Sequence, residues 1–376
     1  MTTFSRRDIP LKELVNGDHL SLTVFEFVGS KPGPHVHIQA SVHGAEVQGN
    51  LVIYELMQYF THHDFAGRIT FIPCSNPMGL NSKSGTSTLG RFNNVTGDNW
   101  NRVFEDIAFN YDDFVSRHIS LPWKELKDSF KKELQQALNH RMMTLEERGL
   151  SENKKWALTL QKEASQADIV LDLHTGPIST SYLYTTEEFY SSSLDLNFPH
   201  HIVIPAEFAG AMDEATFMPW MKLKKAMAKV QRAMPSDIEV YTLELGSEET
   251  INSERAKRYT NAILHFLKKR GGVVSELLPL EVVTKRYKTK LANYCCYHAP
   301  YGGLVEYLKA PGEVAFEGES LATFLNFKAV TTLQNVSDAQ KVFKAPKNAL
   351  IINRCPSSNV SQGMELFFVM EEFELV

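Results

Sequence analysis

Four side chains that could bind a metal ion or transfer a proton occur next to apolar segments of this chain. His43 and Glu46 are three residues apart, a spacing that places two side chains on one face of the first turn of a helix. His174 and Glu244 each lie at the end of a short apolar run typical of a buried strand. Two histidines and one glutamate are a familiar ligand set for catalytic zinc, and they leave one coordination position open for water.

Hydrolysis at such a site also needs a proton acceptor besides the metal ligands. Bound zinc lowers the pKa of its water to about 7 and polarises a carbonyl group, but a carboxylate must still take the proton and pass it to the leaving amine. Glu244 suits this role because it ends a strand of its own. Asp172, two residues before His174, is placed to hold that imidazole by a hydrogen bond. These residues predict a zinc-dependent hydrolase that cleaves an amide bond.

A long polar loop lies between the first and second of these groups. Residues 78–103 are rich in Gly, Ser, Thr and Asn and show no periodicity. A structureless stretch of that length is uncommon in a compact domain unless it is functional. The loop ends in Asn101 and Arg102. A second segment, 207–220, mixes acidic and aromatic residues, and the sequence leaves open whether it lines a substrate pocket or forms a packed surface loop.

The elements that must position these side chains alternate between strands and helices. Residues 34–42 alternate in hydrophobicity as a strand does, and residues 254–270 carry an apolar helical face that stops at Gly271-Gly272. The other predicted elements of this part are a helix over 45–60, a strand over 68–74, a charged helical stretch over 104–166, and strands over 168–173, 201–205 and 239–245. This alternation predicts an α/β fold with a mixed sheet flanked by helices.

The sequence pattern changes after about residue 280. Val, Phe, Tyr and Gly dominate there, and the stretch 299–323 contains several hairpin signals. We therefore expect a catalytic domain over 1–280, in which 104–166 is a helical insert, and a small all-β C-terminal subdomain over 281–376.

Charge and composition argue against several classes of protein. The net charge is −5 and hydrophobic residues make up 43% of the chain, so there is no basic footprint for nucleic acid. No apolar run reaches the ~18 residues of a membrane span, and the first residues lack the apolar core of a signal peptide. The four cysteines form neither a paired CxxC zinc motif nor a secreted disulfide framework, which favours a cytoplasmic location. The sequence does not decide whether the chain forms a homo-oligomer.

Five short motifs follow one another in an order typical of a known family. They are His43-Gly44-x-Glu46, Asn76-Pro77, Asn99-Trp100-Asn101-Arg102, Asp172-Leu173-His174-Thr175 and Glu244-Leu245-Gly246. With them the chain resembles the succinylglutamate desuccinylase/aspartoacylase family of the zinc carboxypeptidase superfamily, over roughly residues 30–330. The stretch 299–323 is also similar to that family's C-terminal β-subdomain. The resemblance implies a zinc carboxypeptidase-like fold and a deacylase acting on a small amide that bears a carboxylate.

The resemblance also implies roles for the four side chains described first. His43, Glu46 and His174 match the family's zinc ligands, which would hold one Zn²⁺ per chain. Glu244 matches its general base. Substrate identity is not implied, because the family's other substrate-binding residues cannot be placed on this sequence.

Three residues of the polar loop correspond to substrate-contacting residues of the family. Asn101 and Arg102 match the residues that bind the substrate carboxylate in that family. A guanidinium suits this role because its planar group binds a carboxylate through two hydrogen bonds. Arg91 is the only arginine between the Asn-Pro motif and Asn101, so it takes the place of the arginine that polarises the scissile carbonyl. The chain departs from the family in having Asn99, next to Asp98, where aspartate is common, and in the length of its helical insert.

Two other functions share the same elements. A zinc carboxypeptidase that removes the last residue of a peptide would also use the HxxE, Asn-Arg and Glu elements, but a β-subdomain that narrows the cleft favours the deacylase. A catalytically idle zinc-binding or carboxylate-binding protein would have no use for a base such as Glu244 beside the metal.

Overall fold

The computed structural model describes residues 2–235 and 237–376, and a large mixed sheet lies at its centre. The strands, numbered along the chain, are β1 (Thr3–Glu13), β2 (His19–Val28), β3 (Lys31–Ala40), β4 (Ala66–Ile72), β5 (Lys83–Ser84), β6 (Ser87–Thr88), β7 (Ile169–Gly176), β8 (Ile178–Ser179), β9 (Ser181–Thr186), β10 (His200–Ile204), β11 (Glu239–Ser247), β12 (Tyr287–Lys290), β13 (Tyr294–His298), β14 (Gly303–Tyr307), β15 (Val314–Ala315), β16 (Ser320–Leu325), β17 (Gln340–Lys344), β18 (Ala349–Arg354), β19 (Asn359–Val360), β20 (Glu365–Met370) and β21 (Glu374–Leu375). The helices are α1 (Gln48–His62), α2 (Pro77–Leu80), α3 (Tyr111–His118), α4 (Trp123–Glu146), α5 (Glu152–Ala164), α6 (Tyr190–Ser193), α7 (Met212–Lys229) and α8 (Ser253–Lys269).

The central sheet has ten strands in the order β1-β2-β4-β3-β7-β11-β9-β10-β12-β21. Its middle strands β4, β3, β7 and β11 are parallel to one another, whereas β9 is antiparallel to β11. Helix α1 packs on β3 and β7 and against α8, and α7 packs on β7 and β11 and against α5. The predicted α/β fold with a mixed sheet flanked by helices is confirmed.

Helix α8 shows why the strongly patterned elements form where the sequence indicates. Asn252 precedes the helix, and its side chain accepts a hydrogen bond from the Arg255 N–H at 2.7 Å, which satisfies one of the free donors of the first turn. The predicted apolar face, including Tyr259 and Ile263, is buried. Gly271 has φ +75, a left-handed conformation that ends the helix without steric cost.

The helical stretch predicted over 104–166 consists of α3, α4 and α5, which belong to two different cores. Trp156 and Leu160 of α5 lie in the core beneath the central sheet. Phe114 of α3 and Phe130 of α4 form a second apolar cluster with Trp220 of α7. Helix α5 is therefore part of the core of the central sheet, whereas α3 and α4 pack in the second cluster.

The C-terminal part of the chain forms two small antiparallel sheets around a core of its own. One sheet has the order β13-β20-β18-β15 with β8 paired to β18, and the other has the order β17-β16-β14-β19. Strands β12 and β21 instead join the edge of the central sheet, while β8 joins the C-terminal sheet. The domain boundary between residues 280 and 281 stays a prediction. Among the described helices, none combines the length and apolar character needed to cross a membrane.

Candidate metal centre

Two of the predicted ligands lie in a tight turn after β3. Residues 41–47 form this turn, which Ser41 begins with φ +63. The Glu46 N–H donates to the His43 carbonyl at 3.2 Å, so the turn brings the two side chains together. The predicted start of the helix at residue 45 was wrong, because α1 begins only after the turn.

Gly44, in this turn, lies in close contact with the polar loop. The Gly44 N–H donates to the Gly90 carbonyl at 2.9 Å. A Cβ atom at Gly44 would lie 2.1 Å from the carbonyl oxygen of Gly79, so only glycine fits there. The polar loop predicted to be functional therefore packs directly on the turn that carries His43 and Glu46.

The third predicted ligand completes a buried cluster around the Glu46 carboxylate. His43 Nδ1 lies 2.8 Å from Glu46 Oε1, and His174 Nδ1 lies 2.7 Å from Glu46 Oε2. Ligand atoms of the three residues all lie within 4.8 Å of one another. His174 stands near the end of β7, the strand next to β3, so the parallel pairing of these strands explains why groups so distant in sequence meet here.

The outer nitrogens of both imidazoles are held by hydrogen bonds that fix the proton positions. His43 Nε2 lies 2.9 Å from Asn99 Oδ1, which also accepts the Asn101 N–H, so the imidazole must be the donor. His174 Nε2 lies 2.9 Å from a carboxylate oxygen of Asp172, the partner predicted from the sequence. Both rings therefore point Nδ1 at Glu46, as metal-ligating histidines do when their other nitrogen is bonded.

The charges of the cluster suit a cation. Burial raises the pKa of Glu46, but His43 and His174 outweigh it and hold that pKa well below its usual range. Burial lowers the pKa of His174, yet the carboxylates of Asp172 and Glu46 raise it well above the ordinary value. Two imidazole nitrogens and a carboxylate are a donor set that zinc accepts, and an ion would replace the proton that His174 otherwise keeps between two carboxylates.

Glu244 lies directly beside His174, on the neighbouring strand β11. The two residues are register partners in the parallel pair β7/β11. The Glu244 side chain is buried, and its Oε2 has no hydrogen-bond partner among the described residues. Burial first, and then the negative charge of Glu46, raise the pKa of Glu244 to about 8. An unpartnered carboxyl group beside a cluster that could hold a metal ion is suited to accept and return a proton.

Arg91 reaches the same cluster from the polar loop. Its guanidinium donates to Glu46 Oε1 at 3.1 Å, and about half of the side chain is exposed. Burial lowers the pKa of Arg91, but Glu46 and Glu244 raise it overall. Arg91 thus places a cation beside the Glu46 carboxylate, and its role towards a substrate carbonyl stays a prediction.

Asn101 and Arg102 lie in a single 3-10 turn, Trp100–Arg102, which is tied to the centre through Asn99. The buried Asn101 side chain accepts the Met212 N–H at 2.9 Å and so also fixes the start of α7. The Arg102 side chain is exposed, and its guanidinium donates to the Asn101 carbonyl at 2.6 Å. Arg102 therefore lies at the surface, three residues along the chain from Asn99, which contacts His43.

Two contributors to the centre were not predicted from the sequence. Asn99 was noted only as a departure from a family pattern, but its amide oxygen holds His43. Gln39 falls within the predicted strand 34–42 without a role of its own, but its side-chain amide donates to Asp172 at 3.0 Å. The sequence does contain a signal for Gln39. The pattern His-x-Gln on β3 and the pattern Asp-x-His on β7 place polar side chains on one face of each strand, and these meet once the two strands are known to be neighbours.

Comparison with known proteins places these residues in context. The model of the family described as Succinylglutamate desuccinylase/Aspartoacylase catalytic domain matches residues 32–270. No protein of curated function matches the chain.

Solved structures similar to this one extend over the whole chain. One, a succinylglutamate desuccinylase/aspartoacylase family protein from Shewanella amazonensis SB2B, is 38% identical with TM-score 0.92, and the match covers 99% of this chain and 100% of that one. A second, from Shewanella frigidimarina NCIMB 400, is 36% identical with TM-score 0.93, and the match covers 100% and 99%. A third, from Rhodobacter sphaeroides, has TM-score 0.67 over 98% and 95% of the two chains, but at 17% identity it supports the fold alone.

Proposed function

The chain belongs to the succinylglutamate desuccinylase/aspartoacylase family, and from this premise we propose that it is a zinc-dependent hydrolase. The bond cleaved is the amide bond of a small N-acyl amino acid or a related carboxylate-bearing amide. The observation that carries the proposal is the pairing of a buried His43-Glu46-His174 cluster with an unpartnered Glu244 carboxylate on the next strand.

Each residue of the centre has one task in this proposal. His43, Glu46 and His174 would hold one Zn²⁺, and both imidazoles turn their Nδ1 atoms towards Glu46. Zinc bound there would lower the pKa of water and polarise the substrate carbonyl. Glu244 takes the proton of the attacking water and returns it to the amine that leaves. Asp172 fixes the orientation of the His174 ring through its hydrogen bond to Nε2.

The substrate is held from the polar loop. Arg91 donates to the oxygen of the scissile carbonyl, which its position beside Glu46 allows. Asn101 and Arg102 bind the substrate carboxylate. Because Arg102 is exposed, we propose that the bound carboxylate lies at the outer edge of the centre, with the acyl group further in.

A hydrolysis screen tests the proposed function and separates it from the carboxypeptidase alternative. C-terminal strands lie close to Glu244. Tyr182 of β9 is the register partner of Glu244, and Tyr294 of β13 packs on Tyr182 with ring centroids 6.1 Å apart. We therefore expect N-acetyl, N-succinyl or N-formyl amino acids to be hydrolysed faster than peptides of several residues by the zinc-loaded protein. Faster turnover of long peptides would favour a carboxypeptidase, and no turnover of any of them would favour a zinc-binding protein without activity.

The Arg102→Ala variant tests whether Arg102 binds the substrate carboxylate. Because Arg102 is exposed, its pair with a carboxylate contributes roughly 0.2–1 kcal/mol, so we expect KM to rise modestly and the preference for free carboxylates over amidated substrates to weaken. Steady-state kinetics on a substrate and its amide measure both effects. Arg148→Ala, which removes another exposed arginine, is the matched control and should leave both quantities unchanged. An undiminished preference in the Arg102 variant would remove this residue from the site.

A further inference from the structure

A line of buried hydrogen bonds leads from the interior of the sheet to the proposed metal ligands. His37 Nε2 lies 2.9 Å from Gln39 Oε1, and Gln39 Nε2 lies 3.0 Å from Asp172 Oδ1. Asp172 Oδ2 then lies 2.9 Å from His174 Nε2. His37, Gln39 and Asp172 are all fully buried, on the face of the sheet opposite to α1. Neither His37 nor Gln39 has a task in the proposed reaction.

The direction of every hydrogen bond in this line follows from its chemistry. The Asp172 oxygen accepts from Gln39 Nε2, so the Gln39 amide group presents its NH₂ to Asp172. The amide oxygen of Gln39 then faces His37, whose Nε2 must carry the proton. Burial lowers the pKa of His37, so its ring is neutral, and its Nδ1 has no partner among the described residues. His37 therefore fixes the orientation of the Gln39 amide.

Strand register makes the contact between Gln39 and Asp172. The two residues are partners in the parallel pair β3/β7, and His37 stands two positions earlier on the same face of β3. Gln39 occupies one oxygen of Asp172 and leaves the other for His174. With both oxygens engaged, the plane of the carboxylate is fixed, and so is the rotation of the His174 ring that it holds.

We propose that Gln39, oriented by His37, is a positioning residue that sets the His174 imidazole for metal binding. The inference rests on the proposed function, because it assigns Gln39 to the same centre. The competing explanation is that Gln39 merely satisfies buried polar groups of two strands. That role would affect the free energy of unfolding but not the geometry of His174 in the folded protein.

The test compares Gln39→Met with Gln161→Met in the whole chain of 376 residues. Gln161 is equally buried and donates to the Glu105 carbonyl at 2.8 Å, away from the centre, so its variant measures loss of a buried amide alone. Two quantities are measured: zinc affinity by chelator competition, and the low-field proton resonance of His174 Nε2–H in the metal-free protein. Gln39→Val is the second variant, because a β-branched residue suits the strand if methionine is not tolerated.

We expect the Gln39 variants to bind zinc about tenfold more weakly, the lower end of the roughly 10–100-fold range for loss of outer partners of metal ligands. The His174 resonance should shift in these variants only. Unchanged zinc affinity and resonance in folded Gln39 variants would overturn the inference, as would equal losses in the Gln161 variant. Failure of the proposed function would show differently, as an absence of zinc binding by the unaltered chain.

Discussion

The Glu244→Gln variant is expected to lose about 10²–10⁴-fold in kcat while it folds, keeps its zinc and still binds substrate. Glutamine preserves the size and shape of the side chain but cannot accept the proton of the attacking water. Since Oε2 of Glu244 has no hydrogen-bond partner among the described residues, the substitution breaks no existing bond at that atom. Single-turnover and steady-state kinetics, together with metal analysis of the purified variant, measure the effect.

The matched control for this variant lies at the other end of the same strand. Glu239 begins β11 and pairs with Arg270, so Glu239→Gln should lower the free energy of unfolding without changing kcat. Loss of zinc from the Glu244 variant would instead make Glu244 a ligand and leave Glu46 as the candidate base. Unaltered activity would show that the carboxylate is structural and that the mechanism is wrong.

The second large effect concerns the ligands themselves. We expect His43→Ala and His174→Ala each to weaken zinc binding by more than the about 10–100-fold that loss of an outer-shell partner costs, and to abolish measurable activity. The reason is that each variant leaves two protein ligands, one fewer than a catalytic zinc site has. Metal content after dialysis and chelator competition check this expectation.

His201→Ala is the control for removing a buried imidazole elsewhere. His201 lies in β10 and is hydrogen-bonded to Ser193 and to the Phe198 carbonyl, remote in the sheet order from β3 and β7. Its variant should keep full zinc content even if its stability falls. Full zinc occupancy in the His43→Ala/His174→Ala double variant would refute the ligand assignment.

The sequence was most informative where one face of an element is buried and the other is solvated. Helix α8 is such a case, and its predicted bounds differ from the observed ones by one residue at each end. Helix α7 was missed because its buried residues, among them Met212, Phe217 and Trp220, lie all around it, so no periodic pattern remains. Hairpin β1/β2 was missed because most side chains of β1 are exposed and give no clear apolar alternation.

At the centre, residue types and strand ends could be predicted, but contacts between segments could not. The position of His174 and Glu244 at the ends of apolar runs was enough to expect them in one place. The order β3-β7-β11, which makes Glu244 the direct neighbour of His174, is a property of the tertiary fold. The same applies to the turn before α1, where Gly44 lies against Gly79 of the polar loop.

The proposed ligands of the centre are far apart along the chain, and this separation makes the free energy of unfolding depend on zinc. Glu46 and His174 are 128 residues apart. In denatured molecules, a loop of that length would have to close before both could reach one ion, so zinc has little affinity for them. Free zinc at a hundred times its dissociation constant would therefore add about 2.7 kcal/mol to the free energy of unfolding. The ion would act as a reversible cross-link between two neighbouring strands, β3 and β7, that are distant in sequence, and zinc supply would affect the fraction of the protein that is folded.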